Sequence, residues 1–213
     1  MSYASLLNEL RRARELVTAL VATLTDADSR TQYHPDLSPP GWHLGHCAFT
    51  ESTWIQATIG KDDRLTKPFA ALYTPTETPR HERGAKIPAL ETLLAWSSGL
   101  QSVNDDILEA QSPQLMNHPL MQDNYLLHFL IQHYSQHYES MLMILTQRAI
   151  RSDNGDYVVD DPLVEQQPAP KRVTVEPGHY QFGGRAPMAH DNELPPHQAT
   201  LGPYSIASRA LSN

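Results

Sequence analysis

The stretch IQHYSQHYE, residues 131–139, places His133 and His137 four positions apart in the chain. Residues with this spacing lie on one face of an α-helix, one turn from each other. Two imidazoles arranged in this way can bind one metal ion through their neutral ring nitrogens. Apolar residues recur at helical spacing on both sides, so we expect a helix from about residue 123 to 151. The stretch therefore predicts a helical protein with a metal site on one helix.

A second histidine cluster, WHLGH at residues 42–46, lies far upstream in the sequence. Proline and the spacing of apolar residues predict a helix here, from about residue 39 to 59. A facing helix can supply a third imidazole, and a three-histidine site leaves coordination positions open for substrate or oxygen. Spacing alone does not decide between His43 and His46 as the third ligand, and it does not exclude His128.

Two further amphipathic segments, at about residues 3–25 and 88–111, also have helical periodicity. Four helices of this length fit an antiparallel four-helix bundle. Residues 61–86 contain many prolines and charges, and we expect them to be irregular. The fold class expected for this part of the chain is therefore mainly α.

The composition changes at about residue 152, where Asp, Gln and Pro become frequent. Four apolar residues, Val173, Val175, Tyr180 and Phe182, then alternate with polar ones as in β-strands, and a further strand is expected within 199–206. A segment of this length is too short to bury a core of its own. We expect a bundle at 1–151, a linker at 152–171, and an incomplete β-containing second domain at 172–213.

Charge and composition exclude several classes of function. The chain has 213 residues and a net charge of −8, and an acidic balance of this kind argues against nucleic acid as a partner. Five charged residues interrupt the apolar segment 6–24, so it is neither a signal peptide nor a membrane span. The single cysteine, Cys47, rules out an internal disulfide. These features predict a cytoplasmic protein.

Two arginines and a glutamate are further candidates for the site. Arg80 and Arg83 could clamp a carboxylate with forked hydrogen bonds, or they could lie in a solvated loop. Glu51 could orient a ligand imidazole, and the simpler interpretation is a carboxylate on the helix surface. Trp42 is most simply an aromatic residue of the core.

The histidine motifs resemble those of a known family. PPGWHLGH at 39–46 and QHYSQHYE at 132–139 resemble the two metal motifs of the DinB-like domain in ergothioneine-type sulfoxide synthases. Residues 173–184 and DNELPPH at 191–197 resemble the start of the formylglycine-generating-enzyme-like domain that follows in that family. The resemblance covers nearly the whole chain, in the same order.

The resemblance implies a mononuclear non-heme iron(II) enzyme that joins a thiol sulfur to the imidazole of hercynine, using O2, and oxidises that sulfur to a sulfoxide. By motif, the Fe(2+) ligands would be His46, His133 and His137, since His46 occupies the second histidine position of its motif. Arg80 and Arg83 match a pair that holds the carboxylates of the thiol substrate. Selenoneine synthesis is a close variant of this chemistry.

Two other functions remain open from the sequence. One is a DinB-like thiol transferase or hydrolase that uses zinc or nickel, and the other is a non-catalytic remnant. In the sulfoxide synthases a proton-donating tyrosine belongs to the second domain, and residue 213 lies near that domain's beginning. We therefore expect the N-terminal iron-binding part of such an enzyme, either truncated or completed by a separate chain.

Overall fold

The structure is a computed structural model that describes residues 1–152 and 171–209. These two ranges belong to two compact units. The first unit is helical, and the second contains short antiparallel strands. The expected fold class, mainly α with a short β segment, is confirmed. Within the described ranges, no helix is both long enough and apolar enough to cross a membrane.

The helical unit contains four long helices and several short ones. In chain order its α-helices are α1 (Tyr3–Ala22), α2 (Asp26–Arg30), α3 (Pro40–Ser52), α4 (Ala70–Tyr73), α5 (Arg80–Lys86), α6 (Leu90–Ala110), α7 (Pro113–Met116) and α8 (Tyr125–Ser152). A π-helix at Thr53–Ile59 extends α3, and 3-10 turns lie at Lys67–Phe69 and Pro119–Asn124. The four long helices match the four expected from periodicity to within a few residues.

The expectation of an irregular segment at 61–86 is wrong, because this segment contains a 3-10 turn, α4 and α5. Each of these elements is two turns or shorter, so none carries enough periodic apolar positions to be recognised from sequence. Pro79 directly precedes α5 as its N-cap residue, where a proline is compatible with a helix start. These short helices matter because they face the histidine-bearing part of α3.

Apolar stripes on the long helices form the core. The inward face of α1 buries Leu6, Leu10, Val17 and Val21, each 1 % exposed or less. Helix α1 packs against α8, and α3 packs against both α6 and α8. Each buried aliphatic side chain of this kind contributes about 1.5–3 kcal/mol. Packing of these stripes therefore sets α3 and α8, which carry the histidines, side by side.

A buried polar network crosses the same core. Glu51 of α3 is fully buried, and its carboxylate accepts hydrogen bonds from Arg14, Asn104 and Tyr134. The expectation that Glu51 lies on the helix surface is therefore wrong. It also does not contact a candidate ligand imidazole through any of these bonds. The network instead links α1, α3, α6 and α8, and it orients α3 relative to α8.

The second unit consists of two antiparallel strand pairs. Strands β1 (Arg172–Val175) and β4 (Tyr204–Ala207) form one pair, and β2 (Gly178–Phe182) and β3 (His197–Leu201) form the other. A 3-10 turn at Asp191–Glu193 lies between β2 and β3 in the chain. The single strand expected within 199–206 is two strands, since Pro203 between them has no N–H for a ladder. Residues 153–170 of the expected linker lie outside the described residues, and the domain boundaries stay a prediction.

Candidate metal centre

Three histidines converge where α3 faces α8. His46, His133 and His137 each offer a ring nitrogen, and these atoms all lie within 4.8 Å of one another. The Nε2 atoms of His46 and His133 are 3.2 Å apart. Two nitrogens bound to one ion at about 2.1 Å lie roughly 3 Å from each other, so this separation fits a shared metal. The residues that the motifs predict as ligands are thus brought together.

A backbone carbonyl at the end of α4 and the ring of Trp42 hold the ring of His46. The Nδ1 atom of His46 lies 2.7 Å from the carbonyl oxygen of Tyr73. A carbonyl only accepts, so the neutral ring carries its hydrogen on Nδ1 and leaves the Nε2 lone pair facing His133. Trp42 stacks on His46 with ring centroids 4.6 Å apart, and its indole N–H donates to the carbonyl of Leu72 at 2.8 Å. His46 is therefore fixed both in orientation and in tautomer.

A glycine makes this arrangement possible. A Cβ atom placed on Gly45 would lie 2.2 Å from the ring of Tyr73, far inside van der Waals contact. Tyr73 is fully buried, so its ring has little room to move aside. Gly45 therefore lets α3 approach Tyr73 closely enough for the next residue, His46, to reach the Tyr73 carbonyl.

Burial keeps the histidine rings neutral. Loss of solvent, together with the nearby His46 ring, lowers the pKa of His133 to about 3. Burial also lowers the pKa of His46, and for His137 burial and the neighbouring imidazoles lower the pKa far below its usual value. Metal ions bind the neutral form of imidazole. The cluster thus presents unprotonated rings at neutral pH, which is the state that a metal requires.

A fourth histidine lies beside the cluster without belonging to it. The Nδ1 atom of His43 is 2.7 Å from the Nδ1 atom of His137. His43 is 6 % exposed, and burial, followed by the nearby His46, lowers its pKa to about 3. His128, which the sequence did not exclude as a ligand, is also outside the three-histidine cluster. The geometry therefore favours His46 over His43 and His128 as the third member.

A cavity of about 490 Å³ opens beside the histidines. This volume falls in the range of small-molecule sites. The charged and aromatic residues among those that line it are Arg80, Arg83, Trp42, His43, His46, His137 and Asp36. The site thus combines candidate metal ligands with cationic side chains in one concave surface.

The two arginines have different surroundings. Arg83 is 4 % exposed, and it donates to the carbonyls of Thr78 and Pro75 and to the hydroxyl of Ser38. Its guanidinium also lies 3.9 Å from the ring centroid of Trp42. Arg80 is exposed on the same helix, α5. The solvated-loop interpretation is wrong for Arg83, whereas Arg80 keeps its guanidinium free of hydrogen bonds to other described residues.

The sequence did not predict three contacts of this site, namely the stacking of Trp42 on His46, the bond between His43 and His137, and the bond from His46 to the Tyr73 carbonyl. Trp42 and His46 are four residues apart on one helix, and this spacing could have indicated their stacking. The partnership of His43 with His137 joins two helices, so no local pattern reveals it. The Tyr73 carbonyl leaves no sequence signal at all, because every residue has a carbonyl.

Comparison with known proteins finds one family and one curated relative for this chain. The family model of the DinB superfamily matches residues 9–141. The chain is also 28 % identical over 221 aligned residues to a hercynine oxygenase of Mycolicibacterium smegmatis. That alignment covers 98 % of this chain and 48 % of the relative. The chain therefore spans about half the length of the curated relative that it matches.

Proposed function

This chain belongs to the DinB superfamily, and we propose that it is the iron-binding part of an oxygen-dependent sulfoxide synthase. The observation that carries this proposal is the cluster of His46, His133 and His137 beside a cavity with two arginines. Similarity to a hercynine oxygenase over 98 % of the chain supports hercynine as one small-molecule substrate, and we propose a thiol as the other. The end product would be ergothioneine or a close variant such as selenoneine.

The three histidines are the proposed Fe(2+) ligands. Three neutral imidazoles would leave bound iron(II) its positive charge and open positions, and the metal would supply oxygen chemistry at an anionic thiol. The chain's own part is to hold these three rings in position. Trp42 and the Tyr73 carbonyl hold His46 in one orientation, and α8 holds His133 and His137 one turn apart. Such fixed groups replace a chance encounter of substrates with a positioned one.

The arginines are the proposed binding groups for the thiol substrate. Arg80 is exposed beside the cavity, so its planar guanidinium is available for a bidentate pair with a carboxylate. Arg83 uses three of its five N–H groups on Thr78, Pro75 and Ser38, and it adds a second positive charge to the same wall. Two cations on one wall favour entry of an anionic substrate.

The complete reaction is proposed for a larger assembly, because the chain spans 48 % of the relative's length. We propose that a second domain contributes to the hercynine site and supplies the proton donor. The β unit at 171–209 is proposed as a part of that domain.

A second function uses the same cluster. Three imidazoles also suit zinc and nickel, and a thiol transferase or hydrolase would bind one of these metals without oxygen chemistry. Membership in the DinB superfamily is compatible with either function. The identity of the bound metal and its response to a thiol distinguish them, and metal binding without any response to thiol would indicate a non-catalytic remnant.

An anaerobic iron(II) titration, followed by nitric oxide and EPR spectroscopy with and without a candidate thiol, tests the proposal. We expect one iron–nitrosyl centre per chain, with a signal that changes when thiol is added. His133→Ala should abolish the signal, whereas His128→Ala on the same helix should keep it. Absence of iron binding together with tight zinc or nickel binding would overturn the iron assignment in favour of the transferase.

A further inference from the structure

We propose that His43 is a positioning residue that fixes the ring of His137 through the hydrogen bond between their Nδ1 atoms. The inference rests on the proposed metal site. His43 lies on α3, three residues before His46, while His137 lies on α8. The bond therefore joins the two helices that carry the candidate ligands, directly beside the cluster.

The distance between His43 and His137 is that of a hydrogen bond, and it is shorter than the distance between two ligands of one ion. The two Nδ1 atoms are 2.7 Å apart, which is an ordinary hydrogen-bond length. Two nitrogens on one ion lie roughly 3 Å apart or more, as the 3.2 Å between His46 and His133 illustrates. Because Nδ1 of His137 is occupied by His43, Nε2 is the nitrogen that remains for a metal.

The position of the hydrogen atoms then follows from the bond. Two neutral imidazoles can share this contact only if one Nδ1 carries a hydrogen and the other carries a lone pair. If His43 were the donor, His137 would carry its hydrogen on Nε2 and could not bind a metal there. Metal binding therefore requires His137 to donate and His43 to accept, with the hydrogen of His43 on Nε2.

Ligand histidines commonly have a hydrogen-bond partner of this kind. A ligating imidazole usually donates its second N–H to a protein group, which sets both tautomer and ring orientation. His46 uses the Tyr73 carbonyl for this purpose. His137 has His43, whereas Nδ1 of His133 has no partner among the described residues. His43 is thus the side chain that holds a candidate ligand ring in place.

A pair of polar substitutions tests this role. In His43→Asn, the side-chain oxygen can occupy the place of Nδ1 and still accept from His137. In His43→Gln, the amide lies one bond farther out and cannot take that place.

The affinity for iron(II) is measured by competition with a chromogenic chelator, and the nitrosyl complex is recorded by EPR. We expect His43→Gln to weaken iron binding roughly 10–100-fold and to broaden the EPR signal, and His43→Asn to restore most of both.

The controls separate this inference from the proposed function. His128→Gln, on α8 but outside the cluster, should bind iron as the unmodified protein does. If the unmodified protein binds iron and His43→Gln binds it as tightly as the unmodified protein, the positioning role is wrong and the metal site stands. The positioning role is also wrong if His43→Asn binds iron as weakly as His43→Gln. If the unmodified protein binds no metal, the proposed function fails first. Circular dichroism and thermal unfolding establish that each variant is folded.

Discussion

The guanidinium of Arg14 donates two hydrogen bonds to the carboxylate of Glu51, at 2.9 and 2.7 Å. Both side chains are buried, 4 % and 0 % exposed. The same carboxylate accepts from Tyr134, the residue after the candidate ligand His133, at 2.9 Å. Glu51 is itself five residues beyond His46 on α3. The ion pair and the Tyr134 bond therefore link α1, α3 and α8 at positions close to the two histidine motifs.

Removing one partner of this pair should destabilise the fold strongly. Arg14→Met leaves the buried charge of Glu51 uncompensated, and such a loss typically costs about 3–5 kcal/mol. The free energy of unfolding in urea measures the effect. Arg11→Met is the matched control on the same helix, because Arg11 is 33 % exposed and pairs with Asp105 at the surface, where ion pairs contribute about 1 kcal/mol or less. Equal losses in the two variants would contradict a special role for the buried pair.

A methyl group at position 45 should disturb the candidate metal site. Gly45→Ala drives a Cβ into the buried ring of Tyr73, and overpacking of this kind costs about 1–3 kcal/mol. Displacement of Tyr73 also moves the carbonyl that orients His46, so we expect weaker iron binding as well. Stability in urea and the iron(II) titration measure the two effects.

Gly99→Ala is the control for that substitution. Gly99 lies within α6, and no atom outside its immediate neighbourhood lies within 4 Å of a Cβ placed there. The substitution should raise helix stability by about 0.5–1 kcal/mol and leave iron binding unchanged. A Gly45→Ala protein as stable as the Gly99→Ala protein would show that Tyr73 can move without cost.

The sequence predicted the long elements and the histidine motifs, and it failed where structure depends on contacts between elements. Twenty-residue helices repeat their apolar stripe many times, whereas α5 has seven residues and no such stripe. Glu51 looked like a surface carboxylate because its burial depends on Arg14, which lies 37 positions away. The pairing of His43 with His137 likewise depends on how α3 and α8 are rotated about their axes, and local sequence does not encode this rotation.

The single thiol should be inert in the folded protein. Burial raises the pKa of Cys47 well above its usual value, and the carboxylate of Glu51 raises it further. The thiolate is the reactive form, and the side chain is 0 % exposed, so reaction with a disulfide reagent requires unfolding. We expect one thiol per chain to react promptly in denaturant and almost none under native conditions. Native labelling at the rate of a small free thiol would contradict the buried position.

The carboxylate of Asp28 should make the fold less stable at low pH than at neutral pH. Hydrogen bonds from Tyr33, Arg148 and Thr25 hold the pKa of this carboxyl far below its usual value. A depressed pKa in the folded state stabilises the protein above the unfolded pKa of about 3.9, and this contribution is lost as the pH falls towards the folded value. Asp28→Asn should therefore be less stable than the unmodified protein at pH 7, with the difference shrinking below about pH 4. Asp106→Asn, at an exposed position of α6, is the matched control for the loss of one carboxylate.

Iron should stabilise the helical unit by an amount that depends on its concentration. A ligand that binds only the folded state adds about 2.7 kcal/mol at a concentration one hundred times its dissociation constant. The candidate ligands come from α3 and α8, so binding cross-links the two helices, and unfolding would have to release the ion. Thermal unfolding under anaerobic conditions, with increasing iron(II), should show a rising midpoint that a chelator reverses. His133→Ala should remove the dependence, and His128→Ala should retain it. A midpoint that rises equally in the His133→Ala protein would place the bound iron somewhere other than the three-histidine cluster.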